Sequence, residues 1–251
     1  MLRALAKTLL KKTPYRIARR TATNRFEAIE DSLASLASRG YRPKRIIDGG
    51  ANVGFFTATV LRLFPTAVVH AIEPQPGCQI DLQSTASRVG NRVITHAVAL
   101  CAPESGSTTI TMATDQFHRS TGAHVAHANG TTPHATCVTV PCATLDQLLA
   151  PYRTDGDHSL LKFDLQGYEL HALRGALQTL ATADFVLTEV SFFAQAYEPP
   201  VTELISFLST HGFDLYDICS VFGRPRDNRA RQGDFLFIKR NCKFAADTMW
   251  D

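Results

Sequence analysis

Acidic side chains at the ends of short apolar runs, the first followed by a glycine turn, mark where this chain can do chemistry. The run Arg45-Ile46-Ile47 ends in Asp48 and turns through Gly49, Gly50 and Gly54 into an apolar helical pattern. A second run, Val68 to Ile72, ends in Glu73 and Pro74. Two parallel strands ending in acids beside a glycine turn make a nucleotide-type site. A dinucleotide fingerprint spaces its glycines G-x-G-x-x-G and seats a diphosphate on the helix start. Here the spacing differs, and Asp48 would repel a diphosphate. A cationic ligand with a ribose diol fits better, and S-adenosylmethionine (SAM) is one. The expected cofactor contacts are Asp48, Gly49, Gly50, Asn52, Gly54, Glu73 and Pro74, with Glu73 on the ribose diol.

Further acids follow the same rule. Leu160-Leu161-Lys162-Phe163 ends in Asp164, and Phe185 to Thr188 ends in Glu189. Strands that alternate with helices form a mainly parallel sheet, and ligands bind at its carboxyl edge. Asp48, Glu73, Asp164 and Glu189 are therefore expected to converge on one rim.

The elements that position them read as follows. Asn24 and Glu27 can open a helix whose apolar face is Phe26, Ile29, Leu33 and Leu36, stopping at Gly40. Strands are expected at Ile46–Asp48, Ala67–Glu73, Arg92–Leu100, Leu160–Asp164 and Phe185–Glu189. Helices are expected over Val53–Phe64, Cys78–Val89, Tyr168–Leu180 and Val201–Thr210. Thr108–Thr114 and Thr136–Val140 are rich in β-branched residues and read as an inserted hairpin. Its polar loop, residues 115–135, should overhang the site. The loop's His118, His124, His127 and His134 lack an acid or cysteine at ligand-like spacing, so no metal site is expected there. Phe213–Val221 and Asp234–Lys239 read as a closing hairpin with one antiparallel strand in the edge region. The expected fold is α/β and doubly wound: a mainly parallel seven-stranded sheet with helices on both faces, an inserted β-hairpin and an N-terminal helical extension. The expected division is a basic arm and helix over 1–40 and a catalytic domain over 41–243.

Composition narrows the class. At 251 residues, 45% of them apolar, the chain is the size of one decorated α/β domain. No apolar run approaches the ~20 residues of a membrane helix. The six cysteines include no C-x-x-C pair and read as reduced thiols, which together with the lack of a secretory signal suggests a cytoplasmic protein. The first twenty residues hold seven basic side chains and no acid, leaving 19 basic against 23 acidic elsewhere. That arm reads as a solvated terminus, with weak peripheral contact to an anionic membrane as the alternative. Nucleic acid is not an expected partner, because the body has no basic stripe interleaved with aromatics. The sequence leaves the oligomeric state open.

Four blocks carry a family resemblance: Asp48-Gly49-Gly50-Ala51-Asn52-Val53-Gly54, Ile72-Glu73-Pro74, Thr144-Leu145-Asp146, and Lys162-Phe163-Asp164-Leu165-Gln166-Gly167-Tyr168-Glu169 with Leu173-Arg174-Gly175-Ala176. In this order they resemble FkbM-type SAM-dependent methyltransferases over approximately Arg45 to Lys239. Gly49 departs from the more usual apolar residue. The resemblance implies O-methylation of a sugar, glycan, lipid or natural product. A hydroxyl acceptor must lose its proton, and a carboxylate within reach can take it. Asp164 and Glu189 are the first candidates, with Glu169 and His171 one turn further on. Asp164 could equally anchor the methionine end of SAM, and Glu169 could simply suit a helix N-terminus. A Mg²⁺ ion on Asp164 and Glu189 is a minor alternative, and no metal is expected. The rival classes are a non-catalytic SAM-binding protein and, further off, a nicotinamide-dependent oxidoreductase.

Overall fold

The computed structural model describes residues 24–126, 136–153, 158–193 and 198–246. The basic arm, with His127 and His134, lies outside them.

A seven-stranded sheet carries the molecule. Its strands are β1 (Arg45–Gly49), β2 (Val68–Ile72), β3 (Val93–His96), β8 (Ser159–Phe163), β9 (Ala183–Ser191), β10 (Phe213–Gly223) and β11 (Ala230–Lys239). They lie in the order β10-β11-β9-β8-β1-β2-β3. All neighbours pair in parallel except β11, which is antiparallel to both β9 and β10. The antiparallel strand is thus wedged inside the edge strand, because an 11-residue β10 returns through a tight turn at Arg224–Arg229.

Both faces are covered, as a parallel sheet requires. On one face lie α1 (Arg25–Ser38), α2 (Phe55–Leu63) and α3 (Pro76–Val89), which bury Ile29, Leu33, Leu36, Phe56, Val60 and Leu82 against Ile46, Val69 and Leu160. The α1 helix therefore shares the core of the sheet. Its start is capped by Asn24, whose side chain accepts from the Phe26 N–H at 3.1 Å. On the other face, α4 (Leu145–Leu149), α5 (Glu169–Arg174), α6 (Leu177–Thr182) and α7 (Val201–Thr210) pack Leu145, Leu173, Leu180, Leu204 and Leu208 against Ile47, Leu161 and Val186.

Two elements depart from the sequence expectation. The helix expected over Tyr168–Leu180 is broken into α5 and α6. A side chain at Gly175 would overlap the Cys101 carbonyl, so the chain runs hard against that neighbour. Asp146 then accepts from Gln178 N–H and Thr179 N–H at 2.8 and 2.9 Å, capping α6 from a distant segment. The strand expected over Arg92–Leu100 also divides. Its second part, β4 (Ala99–Leu100), leaves the main sheet to pair with β7 (Thr136–Ala143). β7 pairs antiparallel with β5 (Thr109–Thr114), which carries the short β6 (His124–Val125), so the inserted hairpin is present and broader than its two strands.

Candidate functional site

The main pocket opens at the carboxyl edge of the sheet, between the glycine turn, the inserted hairpin and the start of α1. Of the expected cofactor contacts, Gly50, Asn52, Glu73 and Pro74 line it. Glu73 is buried, and its two oxygens accept from the Asn52 and Gln75 N–H groups at 2.9 Å each. Burial pushes its carboxyl above the usual range, against those hydrogen bonds and Lys162. A carboxylate has about four acceptor positions, so Glu73 keeps capacity for a diol.

The glycine turn is not an anion cradle. Gly50 and Ala51 both donate to the Ile72 carbonyl, Asn52 to Glu73 and Gly54 to the Ala51 carbonyl. Those N–H groups are spent on the protein, which removes the donors a diphosphate needs. Gly50 has φ +74°, and a side chain there would overlap the Asp164 carbonyl oxygen. Only glycine lets β1 and β8 turn this close together.

Asp48, expected as a ligand contact, does not line the pocket. It is fully buried and lies behind the pocket wall, where Lys162 Nζ donates to it at 3.1 Å and Thr57 at 2.7 Å. Lys162 also donates to the Gly49 and Gly50 carbonyls at 3.1 and 2.9 Å. Burial alone would lower the ammonium's pKa, but Asp48 and Asp164 outweigh it and raise it. Asp48 thus fixes the turn through Lys162. Gly49 and Gly54 likewise sit outside the pocket lining, Gly49 pressed against Phe163 and Gly54 against Leu82.

The hairpin closes one side. Gln75 accepts from the Thr114 hydroxyl at 2.7 Å and donates to the Ser120 carbonyl at 2.9 Å, fastening the overhanging loop to the end of β2. Ser120, Thr121, Ala123 and Val125 consequently face the pocket. The His118 backbone carbonyl accepts from the Gly77 N–H, and His124 Nδ1 lies 3.0 Å from the Gly122 carbonyl. Among the described residues, no three His, Cys, Asp or Glu are grouped to hold a metal ion.

The opposite side is acidic. Strand register explains why: Phe163 lies beside Thr188, so Asp164 and Glu189 follow on adjacent strands, and Asp234 stands directly opposite Glu189. Sequence reading missed the group that joins them. Arg25, from α1, meets Asp164 at 3.1 Å, Glu189 at 3.1 Å and Asp234 at 2.5 Å. Gln166 donates to Asp164 at 2.8 Å and to Glu189 at 3.2 Å. The two carboxyls respond in opposite directions. For Asp164 burial acts upward, but Lys162, Arg25 and Gln166 prevail and hold it below the usual carboxylate range. For Glu189 burial and the neighbouring Asp164 charge raise the carboxyl to about 9. The pair therefore carries one proton at neutral pH.

Glu169, expected as catalytic, does not line the pocket. It is buried behind the wall and accepts from Leu165 N–H at 2.7 Å and Gly167 N–H at 3.3 Å, bracing the turn that presents Asp164. Burial raises it to about 7. His171 stacks on Tyr168 with ring centroids 4.3 Å apart and does not line the pocket.

Glu189's proton has a consequence for stability. A carboxyl near 4.5 when unfolded and about 9 when folded favours the native state fully below pH ~4.5, and that contribution is lost as pH rises toward 9. The decline reaches up to ~1.4 kcal/mol per pH unit while only the native group is protonated. Glu189→Gln should flatten this decline, so its thermal midpoint should gain on wild type from pH 5 to pH 9. Parallel curves for the two proteins would contradict the protonated state.

Comparison with known proteins now decides the family. The methyltransferase FkbM domain matches residues 48–215, two thirds of the chain. The chain belongs to the FkbM methyltransferase family. Among solved structures it is similar to an FkbM methyltransferase from Methylobacillus flagellatus KT, at 15% identity and TM-score 0.48 over 93% of this chain and 59% of that one. The present chain thus spans well under two thirds of that protein's length. It is also similar to magnesium protoporphyrin IX methyltransferase from Synechocystis PCC 6803, at 10% identity and TM-score 0.47 over 94% and 96% of the two chains. A third similar structure is SMU.1697c from Streptococcus mutans, a putative methyltransferase, at 10% identity and TM-score 0.48 over 87% and 99%. No curated protein matches the chain. The FkbM family takes SAM as cofactor, and the donor set suits it: a diol acceptor at Glu73, no free diphosphate cradle, and acids toward a cationic centre. No described helix is long and apolar enough to cross a membrane.

Proposed function

We propose that this chain is a SAM-dependent O-methyltransferase acting on a hydroxyl of a sugar, glycan, lipid or natural product. The observation that carries this reading is one pocket that joins Glu73 to an acid pair, Asp164 and Glu189, bridged by Arg25 and shifted in opposite directions. Bound there, SAM supplies an electrophilic methyl group. Glu73, with Gly50, Asn52 and Pro74, holds the nucleoside and amino-acid portions. Asp164, ionised at neutral pH, accepts the acceptor's hydroxyl proton at a carboxylate oxygen. Glu189, protonated, donates a hydrogen bond that orients the acceptor. The hairpin residues Ser120 to Val125 shield the pocket from water, and holding the oxygen at near-attack distance supplies much of the rate.

Two measurements test this. Incubating a metabolite or glycan extract with isotopically labelled SAM should yield a product heavier by one methyl group, released as the free alcohol's ether. Glu73→Ala should weaken S-adenosylhomocysteine binding by about ten- to a hundredfold, since losing charge-assisted hydrogen bonds costs ~1.5–3 kcal/mol. Unchanged calorimetric affinity in a folded Glu73→Ala protein would remove Glu73 from the cofactor site. Binding without transfer to any hydroxyl acceptor would favour the non-catalytic alternative.

A further inference from the structure

We propose that Arg25, on a helix outside the matched domain, is a positioning residue that completes the acceptor side of the pocket by holding Asp164 charged and aimed. Its guanidinium bridges three acids from three neighbouring strands: Asp164 after β8, Glu189 in β9 and Asp234 in β11. The contact to Asp234 is two-pronged, through Nε at 3.2 Å and Nη2 at 2.5 Å, which fixes the fork's plane.

The other cation that acts on Asp164 is Lys162, through its charge. Lys162 is committed to Asp48 and the Gly49 and Gly50 carbonyls. The charged or titratable groups facing Asp164 and Glu189 are Lys162 of β8, Asp48 of β1 behind it, Glu169 of α5, Asp234 of β11 and Arg25 itself. Acids predominate, so the guanidinium in direct contact adds to Lys162 in keeping the charge on Asp164.

The helix that brings Arg25 is not free to wander. Ile29, Leu33 and Leu36 lie in the main core, and Ser32 donates to Asp217 of β10 at 2.7 Å. Arg25 occupies the first position of α1, where a positive charge opposes the helix dipole. A cation in that place works against its own helix, and the carboxylates of Asp164 and Asp234 supply the compensation. Phe26 and Ile29 of the same helix also line the pocket, so α1 contributes one wall as well as the cation.

The inference rests on the reading of Asp164 as proton acceptor, and its test separates the two. Carboxyl ¹³C NMR titrations of the full chain without ligand should show Asp164 and Glu189 titrating at least one pH unit higher in Arg25→Gln than in wild type. Arg25→Lys keeps the charge but not the fork, so its titrations should stay within half a unit of wild type while transfer from labelled SAM falls about tenfold. S-adenosylhomocysteine affinity should remain within threefold in both variants. In Arg25→Gln the acid limb of transfer against pH should move up with the NMR titration. Unmoved titrations in folded Arg25→Gln would leave Arg25 a structural brace only and overturn the inference. If Arg25→Gln does not fold, wild-type transfer by Arg25→Lys overturns it instead. Titrations that move while the acid limb stays would overturn the base assignment of Asp164, and with it any role of Arg25 in turnover.

Discussion

Replacing Lys162 by methionine should destabilise the fold by about 3–5 kcal/mol, the cost of leaving one partner of a buried pair uncompensated. Asp48 is fully buried and would keep only the Thr57 hydroxyl at 2.7 Å. The Gly49 and Gly50 carbonyls would lose their shared donor at the same time. Both losses fall on the turn that builds the cofactor side, so the protein that remains folded should also bind S-adenosylhomocysteine less well. The double variant Asp48→Leu with Lys162→Met removes both charges and should recover a large part of the stability, because a matched apolar pair avoids the desolvation penalty. Urea unfolding of the single and double variants measures both effects. A Lys162→Met protein within ~1 kcal/mol of wild type would show that the pair does not hold the turn.

Lys162 also shows what the sequence does and does not disclose. The strands at Ile46–Asp48 and Ala67–Glu73, the inserted hairpin and the seven-stranded α/β frame were legible because apolar period and glycine placement are local signals. The convergence of Glu73, Asp164 and Glu189 followed from one topological rule, that strand ends share a rim. What lay beyond reach was pairing across distance. Asp48 looked like a ligand contact because it ends a strand beside a glycine turn, and its partner stands 114 residues away. A signal did exist: a lysine inside Leu160-Leu161-Lys162-Phe163 is bound for the interior, and an interior lysine needs an acid. Arg25 carried a fainter one, a basic residue in a helix's first turn, where acids are preferred. Glu169 shows the same limit as Asp48, since spacing shows that an acid is near a site but not which backbone N–H groups it serves. The division of the helix at Gly175 depended on Asp146 capping α6 from another segment, which no period within Tyr168–Leu180 records.

Asp164→Asn should lower methyl transfer by about 10²–10⁴-fold, the usual contribution of a positioned base. The substitution keeps shape: an amide oxygen can still accept from Gln166, as the carboxylate does at 2.8 Å. It removes the charge that faces Arg25 at 3.1 Å and leaves the guanidinium to Glu189 and Asp234. A carboxyl held below the usual range is a weak base toward a free alcohol. It suffices here because the hydroxyl proton becomes acidic as its oxygen forms the new bond, so the transfer runs downhill late in the reaction. The same low pKa keeps Asp164 ionised through neutral and mildly acidic pH, and wild-type turnover should hold its level down to about pH 5. Glu189, protonated up to about 9, cannot replace it as acceptor below that pH. Base and anchor roles separate in binding: a lost base leaves S-adenosylhomocysteine affinity within a few-fold of wild type, whereas a lost anchor weakens it in step with the rate. Near wild-type transfer by Asp164→Asn on the true acceptor would take Asp164 out of the mechanism.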